Sequence, residues 1–196
     1  MSALTDAVGA FLTDIGVDQP LVVGNSLGGW ISLELAKRGI PRAVVANSPA
    51  GFWSTAEATW CRAQLRLAVE LARRAPALSR RTAENDTARR LSYRVFYGPP
   101  ERMPADAAMA AVRALAGATG FDATLALMVS DRFAGGASVR GPVTVAWGAR
   151  DLLLFPRQAL RAIEQIPQAR LVRLTDGGHL PTWDVPDEVV RLVLAA

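Results

Sequence analysis

Three residues far apart in the chain have the types needed for nucleophilic attack on a carbonyl: Ser26, Asp151 and His179. Ser26 stands in Gly24-Asn25-Ser26-Leu27-Gly28, a G-x-S-x-G run that follows the apolar Leu21-Val22-Val23 and precedes helical sequence from Trp30. This spacing suits a tight strand-to-helix turn. Glycines without a β-carbon let the two backbones approach, and the serine hydroxyl is lifted above the sheet edge. The turn would also set the Leu27 backbone N–H at a helix N-terminus, where it can donate to a developing oxyanion. No second oxyanion donor is identifiable in the sequence.

A serine hydroxyl attacks poorly until a base takes its proton. The chain has one histidine, His179, in Asp176-Gly177-Gly178-His179-Leu180-Pro181. The base needs an acceptor on its other ring nitrogen, which fixes the tautomer and stabilises the imidazolium. Asp151, in Gly148-Ala149-Arg150-Asp151, is the first choice. Asp176 is too close in sequence to His179, and Asp184 is better placed to organise the entrance to the last helix. Each assignment has a structural alternative: an idle serine in a glycine-rich turn, an ordinary core or surface histidine, and an aspartate serving as a helix cap or turn residue.

The elements that must position these groups follow from apolar periodicity. Leu4, Val8, Phe11, Leu12 and Ile15 fall on one helical stripe over residues 2–15. Strands are expected at 21–23, 43–46, 143–147 and 169–174, with helices after Ser26, around 157–165 and from Pro186. Pro186 suits the first helical position, and Asp187 and Glu188 suit the first turn. From 51 to 138 the pattern turns to Ala/Leu/Arg-rich helical segments, broken at Pro76, Gly98-Pro99-Pro100, Pro104 and Gly117. Strands alternating with helices imply a mostly parallel sheet covered on both faces. All three chemical residues then lie just past the carboxyl ends of strands, where open α/β sheets place their sites.

Composition narrows the classes. At 196 residues, with 51% hydrophobic and 20% charged side chains, the chain reads as one globular domain. The N-terminus lacks a basic region and carries Asp6 and Asp14, unlike a signal peptide. No apolar run reaches the ~18 residues of a membrane span. One cysteine, Cys61, excludes an internal disulfide and a cysteine-based zinc site, and it is expected to be a small buried hydrophobe. A cytoplasmic protein is therefore the default expectation. The net charge of +4 comes from arginine pairs in polar helical sequence, with Lys37 the only lysine, and suggests solvated helix faces rather than a nucleic-acid surface. The glycines at 24–29 lack the Gly-Lys-Ser/Thr of a phosphate loop, so no metal or cofactor is expected. A small-molecule substrate is the expected partner. Phe52 and Trp53, with Asn25, are candidate walls of its pocket; Trp60 is a weaker one.

The stretches GNSLGGW around Ser26, WGARDLLLFP around Asp151 and GGHLPTWDVPDEV around His179 resemble the α/β-hydrolase superfamily. They look like its lid-bearing group, which includes esterases, meta-cleavage-product (carbon–carbon bond) hydrolases and non-haem haloperoxidase-like enzymes. The chain order Ser26, Asp151, His179 is that superfamily's nucleophile–acid–base order. The resemblance implies a core from 1–50 and 139–196, with 51–138 inserted as a helical lid. It implies hydrolysis of a small carboxylic ester through an acyl-enzyme, with a carbon–carbon bond hydrolase as a further alternative. Serine rather than aspartate at position 26 argues against a haloalkane-dehalogenase-like activity.

The sequence departs from the family pattern upstream of Ser26. Members carry about four strands before this turn and take an oxyanion donor from that region, often from an HG-containing loop. Here the four expected strands resemble the fifth to eighth of the family. The first of them would keep an open edge, an association liability. An N-terminally truncated, impaired or partner-dependent chain is therefore the rival reading, with a homodimer or a preceding segment covering the edge.

Overall fold

The computed structural model describes residues 1–196. Its sheet is built from β1 (Leu21–Asn25), β2 (Ala43–Asn47), β3 (Val143–Gly148) and β4 (Arg170–Leu174). They lie in the order β1-β2-β3-β4, every pair parallel. The two central strands are buried at every position, as expected of continuous apolar runs covered on both faces, while β1 and β4 are edges. Between the strands run α2 (Leu27–Lys37), α8 (Gln158–Gln165) and, after β4, α9 (Pro181–Asp184) and α10 (Pro186–Leu194). Five α-helices, two short 3-10 turns and no strand separate β2 from β3: the α-helices are α3 (Thr55–Arg74), α4 (Pro76–Glu84), α5 (Asp86–Ser92), α6 (Ala105–Ala116) and α7 (Phe121–Ser130).

The punctuation of this insertion follows the sequence. Pro76 occupies the first turn of α4, where its missing N–H costs nothing, Pro104 precedes α6, and Gly117 ends it. The main core joins Trp30 and Leu33 of α2 to Val44, Val145 and Trp147 of the sheet and to Ala162 of α8. A smaller cluster packs Val189 of α10 on Ala146 and Leu174.

The N-terminal helix, α1 (Ser2–Asp14), departs from its expected stripe. Leu4, Val8 and Leu12 are half-buried, but Phe11 is 58% and Ile15 52% exposed. The fully buried residue is Thr5, whose hydroxyl donates to Met1 O at 3.3 Å. The cause is the edge position of β1. With no strand beyond β1, α1 has α2 to pack on and little else, and Val23 of β1 is itself 43% exposed.

The insertion is fastened to the core by a buried carboxylate. Ser54 and Glu57 cap α3 reciprocally, Ser54 Oγ accepting from Glu57 N at 3.3 Å and Glu57 Oε2 from Ser54 N at 2.6 Å. The same carboxylate pairs with Arg157 at 2.6 Å and with Arg161 of α8. Burial alone would raise the Glu57 pKa, but the Ser54 N–H and the arginines together hold it below the ordinary value. Glu57→Ala is expected to lower the unfolding free energy by about 2–3 kcal/mol at pH 7, read by urea titration. That lies below the ~3–5 kcal/mol for breaking a fully buried pair, because both arginines reach solvent. A depressed folded pKa contributes stability above the unfolded value, which is lost as pH falls through the folded value. The gap between wild type and variant should therefore shrink below the ordinary glutamate range.

Candidate active site

The turn at Ser26 is strained and tied down. Ser26 has φ 56° and ψ −118°, a conformation that a non-glycine residue holds only when its surroundings impose it. Its N–H donates to Asn47 O at 3.0 Å, and its carbonyl accepts from Trp30 N and Ala50 N, both at 3.0 Å. A β-carbon at Gly24 would overlap the Gly28 carbonyl and sit 2.5 Å from Ser32 Oγ, so this glycine is required for the strand and helix to meet. Leu27 is the first residue of α2, so its N–H has no intrahelical acceptor and is left beside Ser26.

The other two groups come together at the adjacent strand ends. His179 Nδ1 lies 2.9 Å from Asp151 Oδ2, and both side chains are buried. Asp151 Oδ1 accepts from Leu153 N at 2.9 Å and Leu154 N at 2.8 Å, which fixes the carboxyl plane and leaves Oδ2 for the ring proton. A proton held on Nδ1 leaves Nε2 as the free lone pair. The loop after β3 and the loop after β4 are themselves joined, Ala149 N donating to Leu174 O and Arg150 N to Gly177 O. No direct hydrogen bond joins the Ser26 hydroxyl to the ring; the contact between their segments runs through Asn25. Apo sites often hold the nucleophile and base loosely.

Asn25 braces the site. Its amide donates to Asn47 O at 3.0 Å and to His179 O at 2.9 Å, tying the serine strand to the histidine loop. Phe52 and Trp53 are not walls of the cavity beside Ser26. Phe52 packs on Phe133 with centroids 5.0 Å apart, and Trp53 packs edge-on against Trp30. Trp53 gives its indole N–H to Asp131 O. Both belong to the main core, because an aromatic ring just past β2 finds the α2 surface before it finds solvent. Trp60 stacks on Phe155 and donates to Leu152 O at 2.8 Å, so it steadies the loop that follows Asp151.

Asp184 has a role the sequence did not reveal. Its Oδ2 accepts from Gly178 N at 2.6 Å and from Gly98 N at 2.9 Å, bridging the histidine loop to the insertion instead of capping α10. Phe96 O accepts from both His179 N and Leu180 N on the same stretch. Burial raises the Asp184 pKa against the pull of those two N–H groups. Asp176 instead pairs with Arg150 at the surface. Burial, with the Asp151 charge adding to it, pushes the Cys61 thiol up to about 12, so it is no nucleophile.

A cavity of about 370 Å³ opens beside Ser26 and Leu27. Its far wall comes from Leu65 of α3 and from Phe121, Thr124, Leu125 and Met128 of α7. The insertion therefore faces the serine. No cluster of metal-ligating side chains is present, and no single helix is long and apolar enough to cross a membrane.

Comparison with known proteins agrees with this architecture. A 53-residue stretch is 43% identical to epoxide hydrolase EphH of Mycobacterium tuberculosis, covering 27% of this chain and 25% of that relative's length. The enol-lactonase of Burkholderia xenovorans LB400 superposes with a TM-score of 0.73 at 19% identity, over 99% of this chain and 71% of its own. A probable hydrolytic enzyme of Pseudomonas aeruginosa PAO1 gives 0.70 at 19% identity, over 99% and 68%. At such identity these two speak for the fold alone. The sequence matches the profile described as "Alpha/beta hydrolase family" over residues 1–192, and the chain belongs to that family.

Proposed function

We propose that the chain is a serine hydrolase acting on a small carboxylic ester through an acyl-enzyme. The observation that carries the reading is the buried Asp151–His179 pair, tied through Asn25 to the strand that ends at a strained Ser26. In this mechanism Ser26 Oγ attacks the carbonyl carbon as its proton passes to His179 Nε2. The carbonyl oxygen becomes an oxyanion facing the Leu27 N–H, and Asp151 stabilises the imidazolium. Collapse of the tetrahedral species breaks the ester bond, and the departing alkoxide takes the proton from Nε2. A water then gives its proton to His179 and attacks the acyl carbon, releasing the acid and restoring Ser26. Residues 51–138 act as the lid over this site. The purified chain should turn over p-nitrophenyl butyrate, and His179→Ala should reduce kcat by about 10³-fold or more. Equal turnover by the two proteins would remove His179 from the mechanism.

A second reading has its own observation. The outer edge of β1 is unpaired, and Phe11, Ile15, Val17 and Val23 are exposed near it. On this reading the chain works only when a second copy or a further polypeptide covers that edge. Turnover per chain that stays constant as the protein is diluted through its monomeric range would count against a requirement for a second copy.

A further inference from the structure

On the serine-hydrolase reading, we propose that Asp184 is a positioning residue for His179, and that it works by pinning the helical insertion to the loop that carries the histidine. His179 follows Gly177 and Gly178, which have no side chains to anchor the loop they form. The loop is held from outside. Asp184, the last residue of α9, folds back so that its Oδ2 accepts both from Gly178 N at 2.6 Å and from Gly98 N of the insertion at 2.9 Å. On the same segment of the insertion, Phe96 O accepts from His179 N at 2.9 Å and from Leu180 N at 3.2 Å. The two backbones touch: a β-carbon at Gly178 would overlap Gly98 N and lie 2.6 Å from the Tyr97 carbonyl carbon. Arg94 Nη1 extends the tie, donating to Gly98 O at 3.3 Å and, at 3.5 Å, to the carbonyl of Arg150 beside Asp151. Asp151 itself is placed by Leu153 N and Leu154 N, which hold its Oδ1. A slack histidine loop would therefore open the 2.9 Å bond from Nδ1 to Asp151 and turn Nε2 away from Ser26. Neither Asp184 nor Gly98 lines the cavity beside Ser26, and the wall facing the serine is fastened elsewhere, by Arg132 to Trp53 O and by Trp53 to Asp131 O. The insertion thus holds the base in place through residues that do not meet the substrate.

Ester kinetics and NMR of the histidine ring, both on the full chain, test this. Asp184→Ala should lower kcat for p-nitrophenyl butyrate by about 100-fold, as a small displacement of a reacting group does. Its KM should stay within about threefold of wild type, because the substrate space keeps its walls. Gly98→Ala keeps the carboxylate but drives a β-carbon into Asp176 O, and should bring a similar loss from the insertion side. Asp184→Asn retains a carbonyl oxygen for both N–H groups and should restore kcat to within about threefold of wild type. Glu57→Ala loosens the insertion where it meets α8; it should cost stability yet keep kcat within about threefold. His179 is the only histidine, so ¹⁵N-histidine labelling reports a single ring. Above the ordinary imidazole range, wild type should show a slowly exchanging proton on Nδ1 and none on Nε2. Asp184→Ala should lose that Nδ1 signal, and Asp184→Asn should keep it.

Wild-type kcat in Asp184→Ala would overturn the proposal, as would a fall in kcat with the Nδ1 proton undisturbed. So would equal losses of kcat in Asp184→Ala and Glu57→Ala, which would mark the effect as general loosening. Where Asp184→Ala does not fold, Asp184→Ser carries the same readouts, since its hydroxyl reaches at most one of the two N–H groups. The NMR signal needs no substrate. Its loss in Asp184→Ala supports the pinning of His179 even if no ester is turned over and a fluorophosphonate leaves Ser26 unlabelled, a result that would end the serine reading alone.

Discussion

Asp151→Asn is expected to reduce ester turnover by about 10⁴-fold while leaving the fold intact. The reason lies in how the two carboxyl oxygens are used. Oδ1 is committed to Leu153 N and Leu154 N, so an asparagine must keep its carbonyl there and turn its amide NH₂ toward His179. Two donors then face each other across the 2.9 Å gap unless the ring proton moves from Nδ1 to Nε2. With the proton on Nε2 the ring has no lone pair for the Ser26 hydroxyl. The imidazolium also loses its countercharge. Thermal melting should change little, because shape and the backbone hydrogen bonds to Oδ1 are kept. A variant within tenfold of wild-type kcat/KM would show that Asp151 only caps the turn after β3.

Gly148→Ala should damage stability and chemistry together. A β-carbon at Gly148 would overlap Gly178 O and lie 2.6 Å from Gly177 O, both of them backbone atoms of the histidine loop. Backbone cannot swing aside as a flexible side chain can, so the loops after β3 and β4 must separate. Separation strains the bonds from Ala149 N to Leu174 O and from Arg150 N to Gly177 O. It also draws Asp151 away from His179. Overpacking of this kind costs about 3 kcal/mol or more, and a displacement near 1 Å costs about 100-fold in rate. Urea titration and ester kinetics on the same preparation read the two effects. Loss of stability with full turnover would mean that the loops tolerate the displacement.

The sheet and the candidate site were legible in the sequence for physical reasons. Ala43 to Ala46 is a continuous apolar run and Val143 to Trp147 is broken only by Thr144, and their shortness and β-branched content point to strands buried on both faces. The G-x-S-x-G spacing marks Ser26, and the single histidine and the order of the three residues narrow the partners. Legibility fails where a role depends on distant backbone. Nothing local to Asp184 indicates that Gly98, 86 positions upstream, will share its carboxylate. Phe52 and Trp53 have the composition of a pocket wall and the environment of a core, and composition alone cannot separate these. Asn25 sits inside the motif, yet its work is to hold the carbonyl of His179, 154 positions away. On α1 the periodic stripe is real, but Phe11 and Ile15 stay exposed because a helical pattern records the need for a partner and not its presence.

Whether Ser26 is an activated nucleophile is tested most directly by stoichiometric labelling with a fluorophosphonate. Intact-protein mass spectrometry should show one adduct per chain, peptide mapping should place it on Ser26, and Ser26→Ala should abolish it. His179→Ala should slow the labelling by orders of magnitude, since an unassisted serine hydroxyl reacts poorly. An adduct that persists in Ser26→Ala, or an equal labelling rate in His179→Ala, would contradict the account.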